Sequence, residues 1–243
     1  MLLDASLPAG LQAAGIVVES PWWTNKPMLT GVGRAAIRAV HEGHVAAGAD
    51  VVRAATFHCS EAELLDLGLA PGSGTAWMVH AAVGVARTAG ARTVVGSIGP
   101  SPHPHDWLVT ELTRCGVDAI LAESMPSIAE AVGVVEQAQV RTWVSFQVRQ
   151  GKLLSGESVV DAVQQARRGG AELVAVNCGT PDDLEPVLAQ IRESYDGPLG
   201  AYPDATDELM PTLRRWEATY GLQLVGGCCG TTAAHLKVPA TSS

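Results

Sequence analysis

Residues 159–178 read VVDAVQQARRGGAELVAVNC, and this stretch contains the unit that decides the fold. Residues 159–172 are amphipathic at helical spacing and contain two adjacent glycines near their end, a common signal for the end of a helix. Residues 173–178 form a short run that is apolar on both faces, as expected of a parallel strand that is covered on both sides. The stretch therefore predicts a helix followed by a buried parallel strand.

The same helix and strand unit recurs along the whole chain. Amphipathic segments such as 181–195 separate eight apolar runs, which lie at residues 1–5, 50–55, 92–99, 119–124, 142–147, 173–178, 198–203 and 224–229. We predict an α/β fold, a (β/α)₈ TIM barrel in a single domain at residues 1–238. Little chain follows the last run, so we expect a short or incomplete eighth helix and a loose tail at 239–243. An open doubly wound sheet is the alternative, although no GxGxxG motif follows the first run.

The bulk properties of the chain exclude several classes of protein. The 243 residues are 47% hydrophobic and carry a net charge of −9, with no cluster of Lys and Arg. Binding to nucleic acid is therefore not expected. The sequence has no apolar run of membrane-spanning length and no basic, signal-like N-terminus, so we expect neither a membrane partner nor secretion. An odd number of cysteines, five, agrees with a reducing, cytoplasmic location.

Chemically active side chains stand where the predicted strands end. In a barrel of this kind the active site lies at the carboxyl ends of the strands. The residues at these positions are Asp4, Thr56, His58, Ser97, Glu123, Gln147, Asn177, Cys178, Tyr202, Cys228 and Cys229. The sequence therefore places two carboxylates, two amides and three thiols at one face of the barrel.

The three cysteines predict a metal site. Cys178 ends the sixth run, and Cys228 and Cys229 end the eighth, flanked by glycines. Neighbouring residues of a regular strand point to opposite faces, so two adjacent cysteines reach one ion only if the backbone bends, which these glycines permit. Three thiolates and one open position are typical of a catalytic Zn²⁺ site. Simple packing of buried cysteines is the alternative, and we expect it for Cys59 and Cys115.

Several motifs resemble one family. The segments NCGTP (177–181) and GGCCGTT (226–232) resemble the zinc-binding motifs of the homocysteine S-methyltransferase family. In the same order, LLDASLPAGLQ (2–12), VGSIGP (95–100), AESMPSIAEA (122–131) and AYPD (201–204) resemble other segments of that family. The resemblance implies a (β/α)₈ barrel that binds Zn²⁺ and transfers a methyl group to the thiol of homocysteine, which yields methionine.

The resemblance also implies roles for single residues. Cys178, Cys228 and Cys229 would be the zinc ligands, and Glu123 would hold the ammonium group of homocysteine with Asp4 beside it. Asn177 would orient the zinc ligands through hydrogen bonds. This chain has Asp-Ala-Ser at 4–6 where the family usually has Asp-Gly-Gly.

The identity of the small methyl donor is less defined. The segment SPWWTNKP (20–27) resembles the tryptophan loop of the betaine-using branch, and Trp22 or Trp23 could hold an onium group by cation–π attraction. Phe57, His58, Ser97 and Tyr202 are the other candidate binding residues. His58 and Ser124 stand where that branch has tyrosines, so the donor is open between betaine and an onium compound of a different shape.

Other functions stay open at this point. The acceptor could be another thiol or a selenol, or the barrel could bind thiols without catalysis. His103 and His105 in SPHPHDW (101–107) suggest a zinc hydrolase, although the remaining ligands of such a site do not follow. His41 and His44 are interpreted as a solvated helix face. The thin wall at the short eighth helix suggests that a second copy of the chain covers it, which would give a homo-oligomer.

Overall fold

A computed structural model describes residues 1–237 and contains a closed parallel barrel. Seven parallel strands follow one another around the sheet: β1 (Val51–Ala54), β2 (Thr93–Ile98), β3 (Ala119–Met125), β4 (Thr142–Arg149), β6 (Leu173–Asn177), β7 (Leu199–Tyr202) and β8 (Leu224–Val225). β5 (Lys152–Leu153) pairs antiparallel with β4. At the N-terminus, Leu2 bridges to Val225 and Leu3 bridges to Val51, both in parallel orientation. These bridges close the ring and confirm the barrel over the open sheet.

Helices surround the barrel in the expected alternation. The helices of the described chain are α1 (Leu7–Ala13), α2 (Asn25–Met28), α3 (Gly31–Ala46), α4 (Glu61–Asp66), α5 (Ser73–Arg87), α6 (Asp106–Arg114), α7 (Ile128–Gln137), α8 (Val159–Gly169), α9 (Pro181–Arg192), α10 (Leu209–Tyr220) and α11 (Ala233–Leu236). The last of these has four residues, which confirms the short eighth helix. The predicted tail at 239–243 lies outside the described residues. Within the described part of the chain, none of the helices is both long and apolar enough to cross a membrane.

Local signals explain the ends of the helices. Ser158 caps α8 by accepting a hydrogen bond from the backbone N–H of Asp161, and Gly170 ends the helix in the left-handed region at φ 113°. Thr180 and Asp183 form a capping box at the start of α9. These caps place the chain reversal directly beside Cys178, so the loop after β6 is well defined.

Two predicted strands are shorter in the structure than in the sequence pattern. Of the run 1–5, only Leu2 and Leu3 form bridges, and the strand in the run 224–229 ends at Val225. The reason is the same in both places, because the chain turns away from the sheet to form the mouth of the barrel. The cysteine pair therefore lies in a loop just beyond the last strand.

The core consists of two apolar layers that the strands separate. Val51 belongs to a cluster inside the barrel together with Val95 and Trp143, whereas its neighbour Val52 belongs to the cluster between the sheet and the helices. This alternation follows from the period of two in a strand. The next inward-facing position after Val51 is Arg53, so the inner layer becomes polar towards the carboxyl ends of the strands.

Candidate active site

The three cysteines predicted from the sequence meet at the mouth of the barrel. The sulfur atoms of Cys178 and Cys228 are in direct contact, and Cys229 Sγ lies 3.9 Å from Cys178 Sγ. A carboxylate oxygen of Asp204 lies within 4.8 Å of all three sulfurs. The structure thus brings together donor atoms from the loops after β6, β7 and β8.

The donor set fits a zinc ion. Zn²⁺ prefers thiolate ligands, and tetrahedral bonds of about 2.3 Å place two sulfurs about 3.8 Å apart. The 3.9 Å between Cys178 and Cys229 matches this spacing. Binding also requires Cys178 and Cys228 to be thiolates whose sulfur atoms move apart from their direct contact. Cys178, Cys228 and Cys229 would then hold the ion, with the Asp204 carboxylate close to all three sulfurs.

Glycines allow the adjacent cysteines to leave the sheet. A Cβ on Gly226 would lie 2.7 Å from Leu3 Cβ, and Gly230 has a φ of 72°, in the left-handed region. The backbone N–H of Cys228 donates to Pro203 O at 2.7 Å, and Thr231 Oγ1 donates to Cys228 O at 2.6 Å. These contacts hold both thiols at the mouth, in a bend that a regular strand would not allow.

Asn177 lies directly behind the sulfur atoms. Its Nδ2 donates to Cys178 Sγ at 3.2 Å, to Cys228 Sγ at 3.6 Å and to Ser124 Oγ at 2.7 Å. The side chain is fully buried and does not line the cavity at the mouth. It can therefore orient the sulfurs, but it does not face the space that a substrate would occupy.

Asp204 is a site residue that the sequence reasoning missed. Its Oδ1 accepts a hydrogen bond from the backbone N–H of Cys229 at 3.2 Å. Burial raises the pKa of the Cys229 thiol, and the carboxylates of Asp204 and Glu123 raise it further. The AYPD segment at the end of β7 was the available signal, since an acidic residue there follows a strand end.

A charged cluster forms the floor of the site. Arg53 Nε donates to Asp4 Oδ1 at 2.7 Å, and Arg53 Nη1 donates to Glu123 Oε1 at 2.6 Å. Ser97 Oγ donates to the other Glu123 oxygen at 2.5 Å. Arg53 was also missed, although a charged residue in the middle of the apolar run 50–55 could have indicated it. The predicted carboxylates are thus neighbours, and a guanidinium joins them.

His41 and His44 contradict the expectation of a solvated helix face. Both are buried, because they share the inner face of α3 with Ile37, and their ring nitrogens have no hydrogen-bond partner among residues 1–237. Burial lowers the pKa of His41 to about 4. His44 Nδ1 lies 3.8 Å from Asp4 Oδ2.

These two histidines and Asp4 are close enough to hold a metal ion. However, Asp4 Oδ1 accepts from the side chain of Arg53 and Oδ2 accepts from its backbone N–H. The guanidinium charge beside this carboxylate opposes the binding of a second cation. The cysteine cluster is therefore the better metal site of the described chain.

Two cavities meet at the cysteines. The inner one, of about 230 Å³, is bounded by the three cysteines and by the predicted residues Asp4, Trp23, Phe57, His58, Ser97 and Glu123. The outer one, of about 750 Å³, shares Phe57, His58, Ser124, Cys178 and Cys229 with it. Two small molecules could therefore approach the metal site from connected spaces.

An aromatic group forms one wall of the inner cavity. The rings of Trp23 and His58 stack at 6.0 Å between centroids, and Phe57 meets His58 edge to face at 4.8 Å. His58 Nδ1 lies 3.1 Å from Glu63 Oε1, which orients its ring.

Two candidate binding residues lie outside this cavity. Trp22 does not line it, and Lys26 Nζ covers its ring at 5.8 Å from the centroid. Tyr202 is buried inside the barrel, where its hydroxyl donates to Ser145 Oγ and its ring lies 5.3 Å from Arg53 Cζ. Tyr202 therefore supports the charged floor from below.

Comparison with known proteins identifies the family. The sequence model of the homocysteine S-methyltransferase family matches residues 1–241. The chain belongs to this family. The homocysteine S-methyltransferase of Escherichia coli K12 is 24% identical to this chain over an alignment of 291 positions, gaps included. The alignment covers 97% of this chain and 93% of that protein.

A further relative and a solved structure are also similar to this chain. The methionine synthase of Mycobacterium tuberculosis is 26% identical over 83% of this chain, but the match spans only 21% of that longer protein. The metallated form of the E. coli homocysteine methyltransferase MmuM has the same fold, with a TM-score of 0.86, 24% identity and coverage of 97% and 94% of the two chains. In this family member, the cysteines, the charged floor and the aromatic wall lie together at one mouth of the barrel.

Proposed function

We propose that this chain is a zinc-dependent S-methyltransferase that moves a methyl group from an onium donor to the thiol of homocysteine, which yields methionine. The observation that carries the proposal is the convergence of Cys178, Cys228 and Cys229 on one cavity with Glu123 and Trp23. Family membership supports the reaction, and the metallated E. coli neighbour supports a metal.

The cysteines and Asn177 would prepare the acceptor side of the reaction. When bound, Zn²⁺ would displace the proton of the acceptor thiol and hold a reactive thiolate at neutral pH. The two N–H···S contacts of Asn177 would keep Cys178 and Cys228 aligned as ligands. Glu123, although it accepts from Arg53 and Ser97, has lone pairs left for the ammonium of homocysteine.

The aromatic wall would hold the donor. The ring of Trp23 is partly exposed at the inner cavity, and Phe57 and His58 complete the wall. Attraction of an onium group to such a ring contributes roughly 0.5–2 kcal/mol. In the transfer a sulfur–carbon bond forms, the bond from the methyl carbon to the onium atom breaks, and its electron pair leaves with the neutral donor product.

A selenol acceptor is a second candidate within the same chemistry. The selenocysteine Se-methyltransferase of Brassica oleracea is 25% identical over 55% of this chain. A selenolate needs less activation than a thiolate, and the same three cysteines would serve it. Binding without catalysis is the remaining possibility, and a turnover measurement excludes or supports it.

Metal content and methyl transfer on one purified sample test the proposal. Zinc per chain is quantified, and homocysteine is then supplied with glycine betaine, dimethylsulfoniopropionate, S-methylmethionine or S-adenosylmethionine. We expect one zinc per chain and formation of methionine, and the compound that supports methionine formation is the methyl donor. Zinc without any methionine would move the assignment to selenocysteine or another acceptor. A reduced protein that binds no zinc would contradict the proposal.

A further inference from the structure

Arg53 is the most heavily bonded side chain at the floor of the cavity. Beyond Asp4 Oδ1 and Glu123 Oε1, its Nη2 donates to the carbonyl oxygens of Asp4 at 3.0 Å, Ala5 at 3.1 Å and Gly227 at 3.0 Å. Only 11% of the side chain is exposed, and that part lines the inner cavity. Arg53 therefore has a single orientation, fixed from three directions.

One donor of this guanidinium is left over. A guanidinium has five N–H groups. Nε uses one, Nη2 shares two among the three carbonyls, and Nη1 uses one for Glu123. The second N–H of Nη1 has no acceptor within residues 1–237. This second N–H lies beside the Glu123 carboxylate, because its own nitrogen, Nη1, is 2.6 Å from Glu123 Oε1.

This pair of opposite charges is complementary to a zwitterion. A carboxylate that accepts from Nη1 lies beside the Glu123 carboxylate, and the two repel unless a cation stands between them. The ammonium of an α-amino acid is joined to its own carboxylate through one carbon and fills that place. The charges then alternate, and a zwitterion leaves the net charge of the floor unchanged.

We propose that Arg53 determines acceptor specificity by binding the α-carboxylate of the acceptor amino acid while Glu123 binds its α-ammonium. The inference rests on the proposed function, since it concerns the acceptor of that same reaction. A charge-assisted hydrogen bond from Arg to a carboxylate contributes roughly 10- to 100-fold in affinity. The preference for an amino-acid head group should therefore depend on these two residues separately.

Three thiols with the same chain length separate the two contacts. Homocysteine carries both groups, 3-mercaptopropylamine lacks the carboxylate, and 4-mercaptobutanoate lacks the ammonium. Their Kd values by calorimetry and their KM and kcat values are measured on zinc-loaded wild type, Arg53→Gln, Arg53→Lys and Glu123→Gln. Arg38→Gln, the same change on the exposed surface of α3, is the matched control.

Arg53→Gln should weaken the binding of homocysteine and of 4-mercaptobutanoate roughly 10- to 100-fold. The Kd of 3-mercaptopropylamine should rise by no more than about threefold. For homocysteine, kcat should change less than KM. Arg53→Lys should restore part of the preference, because it keeps the charge. Glu123→Gln should show the reverse pattern and weaken only the two amines. Unchanged binding of 3-mercaptopropylamine in the Arg53 variants, and of 4-mercaptobutanoate in the Glu123 variant, shows that the site has folded.

An equal effect of Arg53→Gln on all three thiols would reduce Arg53 to a structural residue and overturn the inference, as would no effect on any of them. Both results leave the proposed function intact if the wild type forms methionine. If the wild type transfers no methyl group, the proposed function fails, and the Kd values of the three thiols still decide the role of Arg53.

Discussion

Cys228 is the central residue of the candidate metal site. It is almost fully buried, its sulfur contacts that of Cys178, and it accepts a hydrogen bond from Asn177. We predict that Cys228→Ala abolishes both stoichiometric zinc and methyl transfer, because two remaining thiolates hold zinc poorly. Cys115→Ala, which changes a half-buried cysteine outside the cluster, should keep both. Retention of activity by the Cys228 variant would contradict the mechanism.

Asn177 would act on a bound metal only through its hydrogen bonds to the sulfurs of Cys178 and Cys228. Asn177→Ala should lower zinc affinity roughly 10- to 100-fold, as loss of outer-shell partners does in other zinc sites. Competition with a chelator measures this affinity. Asn25→Ala is the control, because it removes another buried asparagine, whose amide bonds His58 O and Cys59 and none of the three clustered cysteines. Equal zinc affinity in the two variants would show that Asn177 only packs.

At the scale of elements, the loop after β8 depends on a close approach of two backbones. A Cβ on Gly226 would lie 2.8 Å from Leu3 O, and Leu3 cannot yield because its N–H donates to Val225 O at 2.7 Å in the bridge that closes the barrel. Gly226→Ala should therefore lower the free energy of unfolding by about 1–3 kcal/mol.

Gly84→Ala is the matched control for this prediction. It lies within α5 and has no atom within 4 Å of the added Cβ, so it should raise stability by about 0.5–1 kcal/mol. Urea unfolding of the three proteins makes the comparison. Equal stability of the Gly226 variant and the wild type would show that the loop has room to move.

The pattern of apolar runs was sufficient to predict the barrel strands but not all of their ends. The run 173–178 became β6, which ends at Asn177, one residue before Cys178. The antiparallel β5 had no comparable signal, because its two residues, Lys152 and Leu153, are too few for periodicity. Strand ends depend on which backbone groups find partners across the sheet, and a single segment does not contain that information.

The pH dependence of folding is a property of the whole molecule to which His41 contributes. Its pKa is lowered to about 4, first by burial, with Arg53 and His44 adding to the decrease and Asp4 opposing it. The unfolded chain therefore binds a proton at about pH 6.5, whereas the folded chain does so only near pH 4. The free energy of unfolding should fall by about 3 kcal/mol as the pH decreases through this window.

Urea unfolding of reduced, metal-free protein at several pH values tests this prediction. His41→Gln should flatten the slope between about pH 6.5 and pH 4, because glutamine does not titrate. His103→Gln makes the same change at an exposed position and is the matched control. An unchanged slope in the His41 variant would mean that this histidine has the same pKa in the folded and the unfolded chain, which would contradict the prediction.

The homo-oligomer expected from the short last helix, α11, stays a prediction. A second copy of the chain would cover the thin part of the barrel wall. Light scattering checks it, and a monomeric mass would contradict it.

The sequence by itself determined the alternation of strands and helices, the barrel and the three cysteines at strand ends. These features are local, since they depend on periodicity, on glycines at helix ends and on residue types within a few positions of one another.

Only the tertiary structure decided which charges meet. Arg53 joins Asp4 and Glu123, which lie 49 and 70 residues away in the sequence, and Asp204 approaches Cys229 across 25 residues. His41 and His44 became buried because α3 presents the face of Ile37 to the core. Charges act through space, and closure of the ring alone sets the distances between distant strand ends.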